Sequence, residues 1–388
     1  MSVSTPSLTI LRSVALALML VVGLAARPAF AFDTSAEFGI LVDAETGAVL
    51  WEKDAETQMH PASMSKLMTL SMLFEALKAG TAKLDDEFPI SEHAWRAGGA
   101  ASGSSTMFAQ VGTSIPVNTL IQGIIVQSGN DACIAVAEAL SGSEPEFADA
   151  MTRRGKELGL TNSTFANSTG WPDPNQMMTS HDLARLALHL IKDFPEYYHY
   201  FSEKEFTWNG ITQHNRNPAL FLDSSVDGLK TGHTEASGYG LVVSAKRGDQ
   251  RLILVLNGLP SMKARSEESV RVLDWGFRSF KTYKLFAANA VIENAPVWQG
   301  TYAQVPLIST SDVTLIMTPE QRKAMQVSIA YDSPIAAPIA AGQRVGTLRV
   351  TVPDKTTQEL PLVAGANVDQ LGVFGRGMAA LRHMIFGG

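Results

Sequence analysis

The hydrophobic pattern of the first part of the chain predicts a hairpin followed by a long helix. Mostly apolar runs at 38–43 and 48–52 flank the turn-forming residues Glu45-Thr46-Gly47, an arrangement typical of a β-hairpin. Pro61 then opens a stretch that closes at Gly80, and these two residue types mark helix ends. Within this stretch, apolar residues recur at spacings of three and four, at Leu67, Leu70, Phe74 and Leu77. That spacing predicts a helix with one face packed against a core.

The middle of the chain adds more helices and a second hairpin. Helices are predicted at 118–140, 181–191 and 262–280, and strands at 239–245 and 251–257 on either side of a Lys-Arg-Gly-Asp turn. The first of these helices breaks at Ser128-Gly129, and the Gly/Ser-rich segment 98–105 is expected to be a flexible loop. Because strands lie at both ends of this region with helices between them, the pattern predicts an α+β fold.

After residue 280 the pattern changes to short β-rich runs separated by proline and glycine. The runs start at 291 and recur at 313–317, 326–330, 346–352 and 360–362. They predict a small all-β domain at 281–366, behind a larger α+β domain at 32–280. The remaining residues, 367–388, are expected to form a distinct tail.

The N-terminal residues 1–31 have the features of an export signal. Arg12 precedes an almost unbroken apolar run at 13–26, and Ala29-Phe30-Ala31 has the small-x-small form of a signal-peptidase site. The run is short for a membrane-spanning helix, and a retained signal anchor is the alternative. We therefore expect an exported, periplasmic protein.

Composition narrows the classes of partner. The net charge is −7 with no basic block in the interior, which argues against a nucleic-acid partner. Cys133 is the single cysteine, and its position on a helix is more typical of a small core residue than of a nucleophile. The histidines have no metal-binding spacing, so we expect neither a metal nor an organic cofactor.

Ser63 and Lys66 form the first candidate catalytic motif, Ser-Met-Ser-Lys, at a helix start. Residues three apart share one helix face, so the lysine amine can reach the serine hydroxyl. A serine becomes a nucleophile when a base takes its proton, and a lysine serves as that base when burial or nearby positive charge keeps it neutral. Taken alone, the motif also fits a helix cap followed by a surface lysine.

Two further motifs carry polar groups suited to the same chemistry. Ser128-Gly129-Asn130 lies at the helix break, where a hydroxyl and an amide can relay protons and hold a substrate amide. Lys230-Thr231-Gly232 precedes His233 and leads into a strand; its lysine and threonine can bind a carboxylate, and its glycine lets another backbone approach closely. Alone, these motifs fit a helix N-cap and a solvated strand start.

Taken together, the three motifs resemble those of penicillin-binding proteins and serine β-lactamases in order, separation and placement. Several segments are similar in sequence to those of low-molecular-weight D-alanyl-D-alanine carboxypeptidases. They are Ser-Gly-Asn-Asp-Ala at 128–132, residues 227–234, Phe38–Asp43, Asn209-Gly210-Ile211 and Asn215-Arg216-Asn217. The resemblance is close over residues 35–280, and the β-rich domain and tail match it in layout. It implies a transpeptidase-like catalytic domain built on an antiparallel sheet with helices on both faces.

This resemblance also implies a role for each motif residue. Ser63 would be the acylated nucleophile, Lys66 its base and Ser128 part of the catalytic middle element; the substrate-binding groups would be Asn130, Lys230, Thr231, Gly232, His233 and Arg265. The N–H groups of Ser63 and His233 would form the oxyanion hole. The expected activity is removal of the terminal D-alanine from peptidoglycan pentapeptides, with a role in cell-wall remodelling and cell shape. β-Lactams would be covalent inhibitors.

Other functions remain as alternatives. A class A β-lactamase needs a glutamate in a loop well ahead of the Lys-Thr-Gly strand, and Glu205 lies too close to Lys230 for that loop. A DD-endopeptidase of the same superfamily usually lacks the second domain and tail, and a non-catalytic wall-binding protein would be expected to have lost the motif residues. Asp173 and Gln176, in the loop 171–178, receive no role from the sequence.

The tail has the pattern of an amphipathic helix lying on a membrane. Leu371, Phe374, Met378, Leu381 and Ile385 share one helical face, Arg376 and His383 lie opposite, and Arg382 lies at the border. Residues 371–388 contain no acidic side chain, which favours an anionic lipid surface. We expect 371–388 to attach the enzyme to the outer face of the cytoplasmic membrane, with docking on its own β-domain as the alternative.

Overall fold

The computed structural model describes residues 32–353 and 355–386, without the side chains of Arg382, His383 and Phe386. The export signal expected at 1–31, including its apolar run and cleavage site, lies outside the described residues. Within the described ranges, no helix has both the length and the apolar character needed to cross a bilayer.

The elements from Phe38 to Ser279 form an α+β domain around one antiparallel sheet. Its strands are β1 (Phe38–Asp43), β2 (Val49–Lys53), β3 (Glu87–Pro89), β4 (Ser114–Pro116), β5 (Glu205–Trp208), β6 (Ile211–His214), β7 (Val226–Thr234), β8 (Gly238–Arg247) and β9 (Gln250–Leu259). Its helices are α1 (Lys66–Lys78), α2 (Val117–Ile125), α3 (Asn130–Ser141), α4 (Glu144–Glu157), α5 (Ser180–Asp193), α6 (Ala219–Leu222) and α7 (Met262–Ser279). Five strands form the central sheet in the order β2-β1-β9-β8-β7, with every neighbouring pair antiparallel. Both predicted hairpins are present, and strands from the two ends of the domain meet where β1 pairs with β9.

Alternating side chains of the sheet pack against helices on both faces. Ile40 of β1 belongs to an apolar core that also contains Leu70 of α1 and Leu183 of α5. Leu41 points to the opposite face, since side chains alternate along a strand. There it meets α7 at Gly276, where an added Cβ would lie only 2.6 Å from Leu41. The predicted fold class, an antiparallel sheet between layers of helices, is confirmed.

Two local predictions differ from the structure. The helix predicted from Pro61 begins as a 3-10 turn at Ala62–Ser65, and the α-helix starts only at Lys66. Ala62 has φ +47°, a left-handed value that an α-helix does not contain. The segment 98–105, expected to be a loop, includes a 3-10 turn at Ala100–Ser102 and follows a π-helical turn at Ala94–Gly98. In both places a distant segment packs closely against the backbone: Gly170 against Ala62, and Asp131 against Gly98.

The elements from Lys281 to Ala364 form a β-rich domain with one short helix. Its elements are β10 (Lys281–Phe286), β11 (Val291–Trp298), β12 (Gln304–Ile308), β13 (Val313–Met317), α8 (Pro319–Ala324), β14 (Gln326–Ala330), β15 (Ile335–Ala336), β16 (Arg344–Thr351) and β17 (Gln358–Ala364). Six strands form a sheet in the order β14-β16-β17-β12-β11-β15, and β10 pairs with β13. The sequence missed β10 and β12, because β10 carries two lysines and β12 contains Pro306, which argues against an interior strand.

The tail forms a helix, α9 (Val373–Phe386). Its apolar side chains are exposed: Phe374 is 92% accessible, Met378 68% and Ile385 62%. The β-domain has its own core, which includes Val305, Leu348 and Leu362. The apolar face of α9 is therefore not covered by that domain. The side chains of Arg382 and His383, predicted for the border and the polar face, lie outside the described part of the chain.

Candidate active site

The turn before α1 holds Ser63 beside the amine of Lys66. The Nζ of Lys66 donates a hydrogen bond to the Oγ of Ser63 at 2.8 Å and a second to the carbonyl oxygen of Thr169 at 2.5 Å. Ser63 is half-buried, whereas Lys66 is completely buried. A substrate can therefore reach the hydroxyl while the amine stays out of bulk water.

Burial changes the acidity of Lys66. Desolvation disfavours its charged form and, helped by the positive charge of Arg216, lowers its pKa to about 8; the acidic groups of Cys133, Asp131 and Glu144 act in the opposite direction. A neutral amine is therefore accessible near physiological pH. That is the state a lysine must reach to accept the proton of a serine hydroxyl.

Two glycines let other backbone segments approach the Ser63 turn. A Cβ on Gly232 of β7 would lie 2.7 Å from the carbonyl oxygen of Pro61, and one on Gly170 would lie 2.0 Å from the carbonyl oxygen of Ala62. Both distances are shorter than side chains tolerate, so β7 and the loop at 167–171 reach the turn only because these residues are glycine. The strand and the loop thereby become two walls of the site.

The helix break between α2 and α3 forms the third wall. Ser128 has φ +58°, and its buried Oγ accepts a hydrogen bond from the Nζ of Lys230 at 3.0 Å. Burial and the positive charge of Lys66 hold the pKa of Lys230 well below its ordinary value. Asn130 is also buried, and its Oδ1 has no hydrogen-bond partner in the described structure. The break therefore offers a serine–lysine pair and a free amide acceptor.

Asp131 anchors this break, and sequence reasoning gave it no role. Its carboxylate accepts hydrogen bonds from the Oγ1 of Thr106 at 2.6 Å and from the backbone N–H groups of Met107 and Ala109 at 3.0 Å each. Arg216 donates to the Oγ of Ser105 in the same segment. The segment 105–109, which follows the expected loop, is therefore held by hydrogen bonds to Asp131 and Arg216. The sequence signal for this anchoring role was an aspartate directly after Ser128-Gly129-Asn130.

The C-terminal end of β7 presents groups suited to an anion. Thr231 is buried, and Arg265 of α7 is only 7% exposed. The Nη1 of Arg265 donates to the carbonyl oxygen of Gly232 at 3.4 Å, while its Nε has no partner in the described structure. Burial lowers the pKa of Arg265 to about 10. A buried guanidinium with a free donor is a ready receptor for a carboxylate.

The loop 167–176 positions the acceptor of Lys66, and this gives Gln176 a structural role. The side-chain oxygen of Asn167 accepts N–H bonds from Thr169, Gly170 and Trp171 at 3.1, 2.8 and 3.1 Å. Gln176 is buried, and its Oε1 accepts the N–H of Asn167 at 3.2 Å. The carboxylate of Asp173 stabilises a turn in the same loop by accepting a hydrogen bond from the N–H of Asn175 at 2.7 Å.

Residues set aside at the sequence level stay outside this chemistry. Cys133 is buried, and burial raises the pKa of its thiol to about 12. Glu205 is exposed on β5 and faces His214, with 3.4 Å between the carboxylate and the imidazole. Among the described residues, no cluster of histidine, cysteine, aspartate or glutamate could hold a metal ion.

The fold and site together define a class. A half-buried serine accepts a hydrogen bond from a lysine whose pKa is lowered to about 8. A second serine–lysine pair is buried nearby, and a buried arginine has one nitrogen without a hydrogen-bond partner in the described structure. This arrangement is typical of a serine acyl-transfer enzyme.

Comparison with known proteins identifies the family. The profile of the D-alanyl-D-alanine carboxypeptidase family matches residues 24–260, and that of the penicillin-binding protein 5 C-terminal domain matches residues 280–370. The chain is 41% identical over 340 residues to the D-alanyl-D-alanine carboxypeptidase DacC of Escherichia coli, covering 87% of this chain and 85% of that protein. It is 39% identical over 344 residues to DacA of the same organism, covering 88% and 85%. The chain therefore belongs to the D-alanyl-D-alanine carboxypeptidase family.

A solved structure agrees with this assignment. The chain is similar to penicillin binding protein 5 from Haemophilus influenzae, with a TM-score of 0.78 and 35% identity, covering 88% of this chain and all of that one. The predicted activity, that of a serine-type D-alanyl-D-alanine carboxypeptidase, is confirmed at the level of the family. Neither a β-lactamase nor an endopeptidase is favoured, since the similarity to carboxypeptidases extends over both domains.

Proposed function

We propose that the enzyme removes the terminal D-alanine of peptidoglycan pentapeptides through an acyl-enzyme on Ser63. The observation that carries this proposal is the 2.8 Å contact between the Ser63 Oγ and the buried amine of Lys66. Neutral Lys66 takes the hydroxyl proton as the oxygen attacks the carbonyl of the penultimate D-alanine. The N–H groups of Ser63 and His233 stabilise the negative oxygen that forms.

The middle motif completes the first step. Ser128 relays the proton taken up by Lys66 to the nitrogen of the departing D-alanine as the C–N bond breaks, which leaves Lys66 neutral again; Lys230, 3.0 Å from the Oγ of Ser128, orients that hydroxyl. Asn130 accepts an amide N–H of the substrate through its unpartnered Oδ1. Water then hydrolyses the ester to Ser63, with Lys66 again serving as base.

The anionic end of the substrate has its own proposed receptor. Lys230, Thr231 and Arg265 bind the terminal carboxylate, and Gly232 keeps β7 close enough to Ser63 for the bond to be reached. Arg265 has the free donor and the burial that make such a contact strong. This receptor distinguishes a carboxypeptidase from an enzyme that cuts within a chain.

β-Lactams are expected to acylate the same serine, because their ring carbonyl and carboxylate present the same two groups to the site. The most direct experiment is intact-mass spectrometry after treatment with benzylpenicillin. We expect one covalent adduct on the parent protein and none on Ser63→Ala. Ser65→Ala is the matched control: its hydroxyl is buried against the carbonyl of Ala62, so that variant should keep the adduct. An adduct on Ser63→Ala contradicts the assignment.

The carboxylate receptor makes a separate prediction. Arg265→Ala should lower kcat/KM for peptides ending in D-alanyl-D-alanine by roughly 10- to 100-fold, because a charge-assisted hydrogen bond in a desolvated cleft is lost. Arg271→Ala serves as control, since that residue lies on the exposed part of α7, paired with Glu268 at 2.6 Å. If the parent cleaves C-terminally amidated peptides as well as free acids, the receptor is wrong.

We also propose the cellular setting. Residues 1–31 direct export to the periplasm, 32–280 catalyse, 281–366 form the second domain, and 367–388 attach the enzyme to the outer face of the cytoplasmic membrane. The division at 280 is supported by the end of α7 at Ser279 and the start of β10 at Lys281. The membrane role is supported by the exposed apolar face of α9. In this setting the enzyme trims cell-wall stem peptides and thereby contributes to cell shape.

A further inference from the structure

Arg265 is held in the site without an acidic partner. No ion pair to an aspartate or glutamate involves its guanidinium within the described structure, and its one hydrogen bond, to the carbonyl oxygen of Gly232, is long at 3.4 Å. Nearby positive charge from Arg216 makes its position less favourable. A long side chain in these conditions has several orientations open to it. Some other contact must keep it aimed at the carboxylate site.

Tyr239, the second residue of β8, supplies that contact. Its ring centroid lies 5.5 Å from the Cζ of Arg265, within the range of a cation–π interaction. The same ring stacks on the imidazole of His233, with centroids 3.8 Å apart and planes 9° from parallel. Tyr239 is directly opposite His233 in the β7–β8 ladder, so the central sheet fixes the ring in place.

We propose that Tyr239 is a positioning residue that keeps Arg265 aimed at the terminal carboxylate. The proposal rests on the role of Arg265 proposed above. The face of the ring makes both contacts, so the aromatic ring is required and the phenol hydroxyl is not. Tyr239 does not itself touch the reacting atoms.

The test compares Tyr239→Phe with Tyr239→Leu on a peptide ending in D-alanyl-D-alanine. Tyr239→Phe should keep kcat/KM within about twofold, and Tyr239→Leu should lose roughly 3- to 30-fold, the range a cation–π contact supplies. An acyl-D-alanine methyl ester, which has no terminal carboxylate, should be hydrolysed by Tyr239→Leu at a rate within about twofold of the parent. That ester also reports whether the fold and Ser63 remain intact, and Tyr239→Met replaces the leucine variant if it does not fold.

A double-mutant cycle with Arg265→Ala separates the two proposals. If Tyr239 acts through Arg265, adding Tyr239→Leu to Arg265→Ala should cost little more on the peptide. Full activity of Tyr239→Leu, or an equal loss with and without Arg265, overturns the positioning role. If Arg265→Ala is itself as active as the parent, the carboxylate receptor fails, which is a different result.

Discussion

Two lysines of this enzyme occupy places where lysine is ordinarily unfavourable. Lys66 is completely buried and Lys230 is 2% exposed; the positive charge of Arg216 acts on both amines, and that of Lys66 acts on Lys230. Burying a cation costs free energy unless it loses its proton or finds acceptors. Here each amine has serine and carbonyl acceptors, and the pKa of each is lowered. The lowered pKa of Lys66, about 8, suits it to the role of base proposed above.

This arrangement predicts how the rate depends on pH. Only neutral Lys66 can accept the proton of Ser63, and its pKa is lowered to about 8. The kcat/KM for a D-alanyl-D-alanine peptide should therefore rise about tenfold per pH unit below 8 and level off above it. The acylation rate with benzylpenicillin should follow the same curve. A profile that stays flat from pH 5 to 9 contradicts the lysine base.

Lys66→Arg tests the same assignment by substitution. A guanidinium keeps its proton at every accessible pH, so the variant should lose about 10²- to 10⁴-fold in acylation rate. Lys78→Arg, at the exposed end of α1, is the control and should remain fully active. An active Lys66→Arg enzyme shows that another group removes the proton.

At the scale of elements, the site is assembled from segments that are irregular by themselves. The break at Ser128 and the loop at 167–176 lack regular secondary structure, the Ser63 turn is a single 3-10 turn, and buried polar side chains hold the break and the loop. Asp131 holds the segment at 105–109, and Gln176 holds the loop that carries the Thr169 carbonyl. Their buried hydrogen bonds replace the backbone ladders that helices and strands supply.

Gln176→Leu should weaken both stability and catalysis. The substitution leaves the N–H groups of Ala166 and Asn167 without their acceptor, at a cost of about 1–3 kcal/mol in unfolding free energy. The Thr169 carbonyl then loses its fixed position beside Lys66, so kcat should fall more than KM rises. Urea denaturation and steady-state kinetics measure the two effects.

The control lies in the same loop. Asn175 exposes its side chain, so Asn175→Ala should change the unfolding free energy by less than about 0.5 kcal/mol. If Gln176→Leu is as stable and as active as this control, the loop does not depend on Gln176.

At the scale of the whole molecule, the chain ends in a helix whose apolar side chains have no protein partner in the described structure. Val373, Phe374, Met378, Leu381, Met384 and Ile385 are all more than half exposed. A contiguous apolar face of this kind marks a surface that binds something else. With arginine on its polar side and no acidic residue, that surface suits anionic lipid.

Deleting residues 371–388 should release an active, soluble enzyme. Pelleting with vesicles that contain anionic lipid measures the attachment, and hydrolysis of a D-alanyl-D-alanine peptide measures the activity. Phe374→Asp should reduce pelleting, whereas Ala379→Asp, which adds the same charge on the polar side between Arg376 and His383, should reduce it less. A truncated enzyme that still pellets, or that has lost activity, contradicts the membrane role.

The sequence by itself determined the fold class, the activity and the proposed catalytic groups. Hydrophobic periodicity located both main hairpins and the helices at 181–191 and 262–280, because burial of one face imposes its period on the chain. The three motifs stood out because a nucleophile, its base and an anion receptor require particular residue types. Strands β10 and β12 were not predicted, because the lysines of β10 and Pro306 of β12 obscure the hydrophobic pattern of a strand.

Only the tertiary structure decided how the groups meet. Lys66 is suited to its proposed role as base because distant segments bury it and the loop at 167–171 gives it an acceptor. The turn at Ala62–Ser65 departs from the α-helix because β7 and Gly170 press against it from residues more than 100 positions away. The roles of Asp131, Gln176 and Tyr239 depend on contacts between segments far apart in the chain. Local sequence patterns do not encode such contacts, because they arise only when the folded chain excludes water and brings those segments together.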